Sequence, residues 1–182
     1  MSATDKTIPR RHLASVPRFA LYDLDRRAMP AGTEQVEFEA FMRSSVELTG
    51  FTAAELAATG MARAYYEELG AVLGMPTRTR FLAGKLSPGD RMKDDFHGPL
   101  ARNLIRLWYL GQWKQLDCGW IGLLSASERE KFDEFQRNTD RVISAGGYRE
   151  GLAWTAIGTH PSGAKQPGFG SWAAAPPGPV KP

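Results

Sequence analysis

"FTAAELAATGMARAYYEELGAVLGMP", residues Phe51–Pro76, is the stretch whose reading sets the fold class. Thr52 and Glu55 stand three apart just ahead of an apolar run, the spacing at which the first turn of a helix caps itself reciprocally. Phe51 before the cap and Leu56 after it supply the matching hydrophobic staple. Leu56, Met61, Tyr65, Leu69 and Val72 then recur at helical spacing. One helix is therefore predicted from Thr52 to Leu73, closed by Gly74 and Pro76. Gly60 inside it costs about 1 kcal/mol relative to Ala unless a neighbour packs closely there.

The same periodicity extends to both sides. Upstream, "TEQVEFEAFMRSSVELTG" from Thr33 places Val36, Phe38, Phe41, Met42, Val46 and Leu48 on one face, and Gly50 is a suitable stop. Downstream, "PTRTRFLAGKL" predicts a short helix and "SPGDRMKDDFHG" a turn-rich connector. Pro99 suits the first turn of "PLARNLIRLWYLGQW". There Leu100, Leu104, Leu107, Trp108 and Leu110 form an apolar stripe with Arg102 and Arg106 outside it. Ser125 and Glu128 repeat the capping-box spacing and open "REKFDEFQRNTDRVIS", a polar segment expected to face solvent. "GGYREGLAWTAIG" is compatible with helix or strand. The sum is a mostly α fold: a small irregular helical bundle over residues 33–157, a basic arm over 1–32, and an extended Gly/Pro/Trp-rich tail over 158–182.

Composition narrows the functional classes. The chain has 182 residues, 42% hydrophobic and 24% charged, the profile of a globular domain with room for a core. A single cysteine, Cys118, excludes an internal disulfide and reads as a small packed residue. The formal charge of +3 resides in residues 1–30, and the remainder is balanced. A nucleic-acid binder would instead gather its excess on one folded face, so no nucleic-acid partner is expected. No run reaches the ~20 apolar residues of a membrane-spanning helix, so membrane association is expected only through a partner. Arg10 and Arg11 loosely suggest a twin-arginine export signal, but Arg18, Asp23 and Asp25 interrupt the apolar region such a signal needs.

Catalytic constellations are not recognisable. His12, His97 and His160 lie far apart, and "DDFH" at 94–97 lacks metal-ligand spacing and reads as solvated charge. Neither Ser162 nor Cys118 sits in a nucleophile elbow or redox motif. Glu128, Glu130, Asp133 and Glu134 alternate with Arg129, Lys131 and Arg137, the pattern of an exposed helix surface. No catalytic, cofactor-binding or metal-binding residue is expected. The aromatic residues remain. Core packing is the default for Trp108 and suits Trp154, whereas large aromatics among Pro and Gly in the tail suit a segment laid on another surface. Composition allows that surface to be a partner or the chain's own body.

Three blocks carry a resemblance: "FMRSSVELTGF" with "YYEEL"; "LIRLWYLGQW"; and "YREGLAWTAIGTHPSGAKQPGFGSWAAAPP". They span most of the folded chain, and the third is the most specific. Together they resemble the small subunit of bacterial flavin-dependent sugar and polyol dehydrogenases, the membrane-bound sorbitol dehydrogenase small-subunit family. The resemblance implies a non-catalytic subunit without its own cofactor. Its partner would be a large FAD-carrying catalytic subunit of the glucose-methanol-choline type, which it binds, stabilises and helps mature and export. A c-type cytochrome or another electron acceptor is the further partner implied, and the periplasm the implied compartment. The interrupted export signal leaves a cytoplasmic address open. A transient chaperone, absent from the mature enzyme, is the alternative role. Partner-binding residues expected on this basis are Trp108, Tyr109, Trp113, Trp154, His160, Pro167, Phe169 and Trp172. The stretch from Lys114 to Asp140 is longer than the resemblance leads one to expect and reads as an insertion facing solvent or a third partner.

Overall fold

The computed structural model describes residues 31–134 and 136–158. The fold is mostly helical. In chain order the elements are α1 (Ala31–Thr49), α2 (Ala53–Ala58), α3 (Ala62–Leu73), α4 (Met75–Ala83), α5 (Pro88–Lys93), α6 (His97–Leu110), β1 (Gln112–Trp113), α7 (Cys118–Ile121), α8 (Ala126–Lys131), β2 (Arg141–Val142), α9 (Ala145–Arg149) and α10 (Ala153–Ala156). The basic arm and nearly all of the tail lie outside the described residues.

Both capping boxes form. Thr52 and Ser125 each accept the backbone N–H three residues on, and Glu55 and Glu128 accept the cap N–H in return. The single helix expected from Thr52 to Leu73 is two. Gly60 has φ of 70°, a left-handed conformation that stops α2, and its missing side chain faces open space. Conformation, not close packing, is the reason for glycine there. Gly50, Gly74 and Gly111 end α1, α3 and α6 in the same half of backbone space, as their positions predict. The expected connector before α6 contains a helix of its own, because Ser87 accepts the Asp90 N–H and Pro88 occupies the first turn of α5.

α6 is the axis of the core. Leu100, Leu104, Leu107 and Trp108 follow the i, i+4, i+7, i+8 pattern, and all are buried. Arg102 and Arg106 point outward as expected, while Leu110, expected in the stripe, is exposed. α6 packs against α1 and α5, and α4 against α1 and α3. The buried line of α1 is Glu37, Phe41, Ser44, Ser45 and Thr49, which places Val36 outside despite its hydrophobicity. Ser45 and Thr49 donate their hydroxyls to carbonyls four residues back, which satisfies them without a distant partner. Glu37 is held by Arg78, Thr79 and Tyr66, tying α1 to α3 and α4.

The stretch from Lys114 to Asp140 is not a solvent-facing insertion. Leu116, Trp120, Ile121, Leu124 and Phe132 all enter the core. Trp120 stacks on Phe96 and donates its indole N–H to the Phe96 carbonyl at 2.9 Å. α8 ends at Lys131 instead of running on as a polar helix. Beyond it the buried Asp133 donates its N–H to the Val72 carbonyl at 2.8 Å. Two buried asparagines replace the pairing that the two-residue strands are too short to supply. Asn103 accepts the Lys114 N–H and donates to the Lys114 carbonyl, and Asn138 does the same for Leu116. Cys118, expected to be packed, is exposed.

Candidate functional site

The chain's last described segment, residues 141–158, crosses the C-terminal end of α6. Gly111 turns the chain out of α6 into β1, where Gln112 and Trp113 pair antiparallel with Val142 and Arg141. The Ile143 N–H then donates to the Gly111 carbonyl at 2.8 Å, and Ser144 caps α9 by accepting the Gly147 N–H at 3.0 Å. Contact here is backbone on backbone. A Cβ on Gly111 would lie 2.6 Å from the Gly147 carbonyl oxygen, and one on Gly151 would lie 2.6 Å from the Tyr109 carbonyl oxygen. The Leu152 N–H donates to the Trp108 carbonyl at 2.9 Å, fixing the start of α10. Glycine is needed at 111 and 151 for this approach, since any side chain would push the segment off α6.

That pinned segment sends Leu152 into the core and leaves other large side chains outward. Tyr148 is 48% exposed and Ile157 72% exposed. Trp154 is half-buried, edge-on to the Tyr148 ring at 5.9 Å, and its indole N–H donates to the Tyr148 carbonyl at 3.3 Å. Trp154 and Ile157 are three residues apart at α10, so their side chains share a side. The result is a patch of exposed Tyr148 and Ile157 with half-buried Trp154 on an anchored backbone, next to the point where the chain continues into residues 159–182.

The sequence-predicted partner residues divide accordingly. Trp108 and Trp113 are each 1% exposed and belong to the core, so neither can contact a partner. Trp108 packs edge-on to Tyr65 and beside Phe41, and the Trp113 indole N–H points to Asn138. Tyr109 is half-buried; its hydroxyl donates to the Thr49 carbonyl at 2.9 Å and its ring meets Phe51. Its role is to lock α6 to the end of α1. Trp154, half-buried like Tyr109, lies beside the exposed Tyr148 and Ile157, which the sequence did not single out. His160, Pro167, Phe169 and Trp172 lie outside the described residues.

The titratable groups are engaged locally. Asp94 accepts the backbone N–H groups of Phe96 and His97 and pairs with the His97 Nδ1 at 2.7 Å. The His97 hydrogen bonds hold its carboxyl below the usual range. The other ring nitrogen of His97 is buried without a partner and lies against Gly84. Burial works against ionisation of Glu128, but the Ser125 cap and the Arg80 guanidinium outweigh it and hold the carboxyl low. Glu128 and the buried Asp133 therefore do not form the exposed acidic surface expected from their spacing. Burial, then the charge of Glu150, pushes the Tyr65 phenol upward. Among the described residues, no group of three or more His, Cys, Asp or Glu side chains could hold a metal. Among the same residues, no helix is long and apolar enough to cross a membrane. Comparison with protein-family models, with curated proteins and with solved structures returned no match to this chain.

Proposed function

We propose that this chain is a non-catalytic small subunit of an FAD-dependent sugar, polyol or glycoside dehydrogenase. Its task is to bind and stabilise a large flavoprotein subunit of the glucose-methanol-choline type. The observation that carries this reading is the Tyr148–Trp154–Ile157 patch, whose exposure a chain acting alone gains nothing from. Tyr and Trp supply contact area at little rotamer cost and dominate the energetics of interfaces. The patch lies within "YREGLAWTAIGTHPSGAKQPGFGSWAAAPP", the block that carries most of the resemblance to dehydrogenase small subunits, so the anchored face and the following tail form one docking element.

Its effect on the partner follows from mass action: a subunit that binds only the folded flavoprotein shifts the folding equilibrium toward it. A periplasmic site of action, reached by export together with the flavoprotein, belongs to the same proposal, as does electron transfer from the flavin to a c-type cytochrome or another acceptor. The test is deletion of residues 159–182, alone and with Trp154→Ala. Recovery of the assembled dehydrogenase should fall in both while the helical body keeps its circular dichroism and melting midpoint. Full-yield assembly by the doubly altered chain would refute the docking role. Loss of this chain from active, purified enzyme would favour a transient chaperone.

A further inference from the structure

A second surface feature lies away from the α9–α10 face. α1 on one side, and α4 with the turn into α5 on the other, enclose a groove of about 760 Å³, within the range of small-ligand sites. Its walls are aliphatic: Val36 and Ala40 from α1, Leu82 and Leu86 opposite. Its deepest polar groups are Ser44 and Arg91, each 3% exposed. The Arg91 guanidinium donates to the Ser44 hydroxyl at 2.9 Å and to the Gly84 carbonyl at 2.8 Å, both neutral acceptors. Its Nε has no acceptor, and no described carboxylate forms an ion pair with it. The carboxylate of the groove wall, Glu37, is already held by Arg78, Thr79 and Tyr66. Exposed Arg43 and Lys85 add positive charge at the rim against one exposed carboxylate, Glu47.

A buried guanidinium with only neutral partners is a strong attractor for an anion, because charge-assisted pairing is worth more where water is excluded. Aliphatic walls leading to that cation match a molecule with an apolar chain and an anionic end. We propose that the groove between α1 and the α4–α5 turn binds a single-chain carboxylate amphiphile. The chain would lie along Val36, Ala40, Leu82 and Leu86, and the carboxylate would be drawn toward Arg91 and the Lys85 rim. This inference is independent of the dehydrogenase reading.

The experiment is calorimetric titration of the full chain with laurate, dodecyl maltoside and dodecyltrimethylammonium, each below its micellar concentration. One saturable site for laurate is expected, with weaker uptake of the neutral probe and none of the cation. Val36→Asp, which puts a carboxylate on the exposed wall of the groove, should weaken laurate by at least about tenfold without moving the thermal midpoint. Lys85→Glu should weaken it about threefold and leave the maltoside unchanged. Arg91→Met should erase the preference for laurate; if it fails to fold, the two surface variants still decide the matter. Equal binding of the cationic probe, indifference to Val36→Asp, or no laurate uptake would each overturn the proposal. Absence of laurate uptake together with protection of Ala40 on assembly with the flavoprotein would assign the groove to a partner segment instead.

Discussion

Asn138→Leu removes a buried tie without changing side-chain size much. Asn138 is fully buried; its Oδ1 accepts the Leu116 N–H at 2.8 Å and its Nδ2 donates to the Leu116 carbonyl at 2.9 Å. A longer third bond, 3.4 Å, comes from the Trp113 indole N–H. A net hydrogen bond contributes about 0.5–1.5 kcal/mol, and a buried group left without a partner costs about 1–3 kcal/mol. Leu116 is 3% exposed, so water cannot reach its two backbone groups to replace the amide. Two good bonds lost, with their partners stranded, amount to about 2–4 kcal/mol, and the weak third bond adds little. In a chain of this size that lowers the melting midpoint by about 5–15 °C. The assay is urea unfolding followed by tryptophan fluorescence, with Gln136→Ala on the exposed side of the same loop as control. An unchanged slope with denaturant would show that the loss is one of stability. A cost under about 1 kcal/mol, or one equal to the control, would refute the claim that side-chain amides stand in for the missing sheet.

Glycine at 111 and at 60 separates close approach from conformation. Gly111→Ala meets both a positive φ and the Gly147 backbone and should lower stability by about 2–4 kcal/mol, whereas Gly60→Ala, strained but unobstructed, should lower it by about 1–2 kcal/mol; equilibrium unfolding ranks the two. Trp154→Ala should leave the melting midpoint within about 3 °C but weaken flavoprotein binding by about tenfold or more, read by surface plasmon resonance. The carboxyls of Glu128 and Asp94 ionise more readily in the folded chain than in the unfolded one. Their stabilisation is therefore complete above the ordinary carboxylate values of about 4 and is withdrawn as pH falls through the lower folded values. Glu128→Gln should flatten that acid limb of the stability curve, while an acid limb identical to the parent's would contradict the assignment.

The elements legible in the sequence are those determined within a few residues. Thr52 with Glu55 and Ser125 with Glu128 act across three residues, and Gly50, Gly74 and Gly111 stop helices through their own φ. Those signals, with the stripe of α6, define the helical bundle. Gly60 was legible as a cost but not as a break, because spacing alone does not distinguish a glycine inside a helix from one that ends it. The roles of Asn103 and Asn138 depend on backbone groups 11 and 22 residues away and leave no local pattern. The same holds for Leu116 and Phe132, whose neighbours are polar in sequence but whose contacts are made across the fold. At the candidate site, counting aromatics found Trp154 and also drew in Trp108 and Trp113. The i, i+4, i+7, i+8 stripe already marked Trp108 as internal. The signal for Tyr148 and Ile157 was the small residues near them, Gly147 and Gly151 among them, which let the backbone sit close to α6 and leave these two side chains outside.

The most direct test is purification of this chain, tagged at its N-terminus, from its native cell under mild conditions. A stoichiometric complex is expected with one large protein that carries flavin absorbance and oxidises a sugar or polyol, and it should be lost when residues 159–182 are removed together with Trp154→Ala. A chain that purifies alone from cells expressing the flavoprotein, or that turns over a sugar without any flavoprotein, would contradict the account.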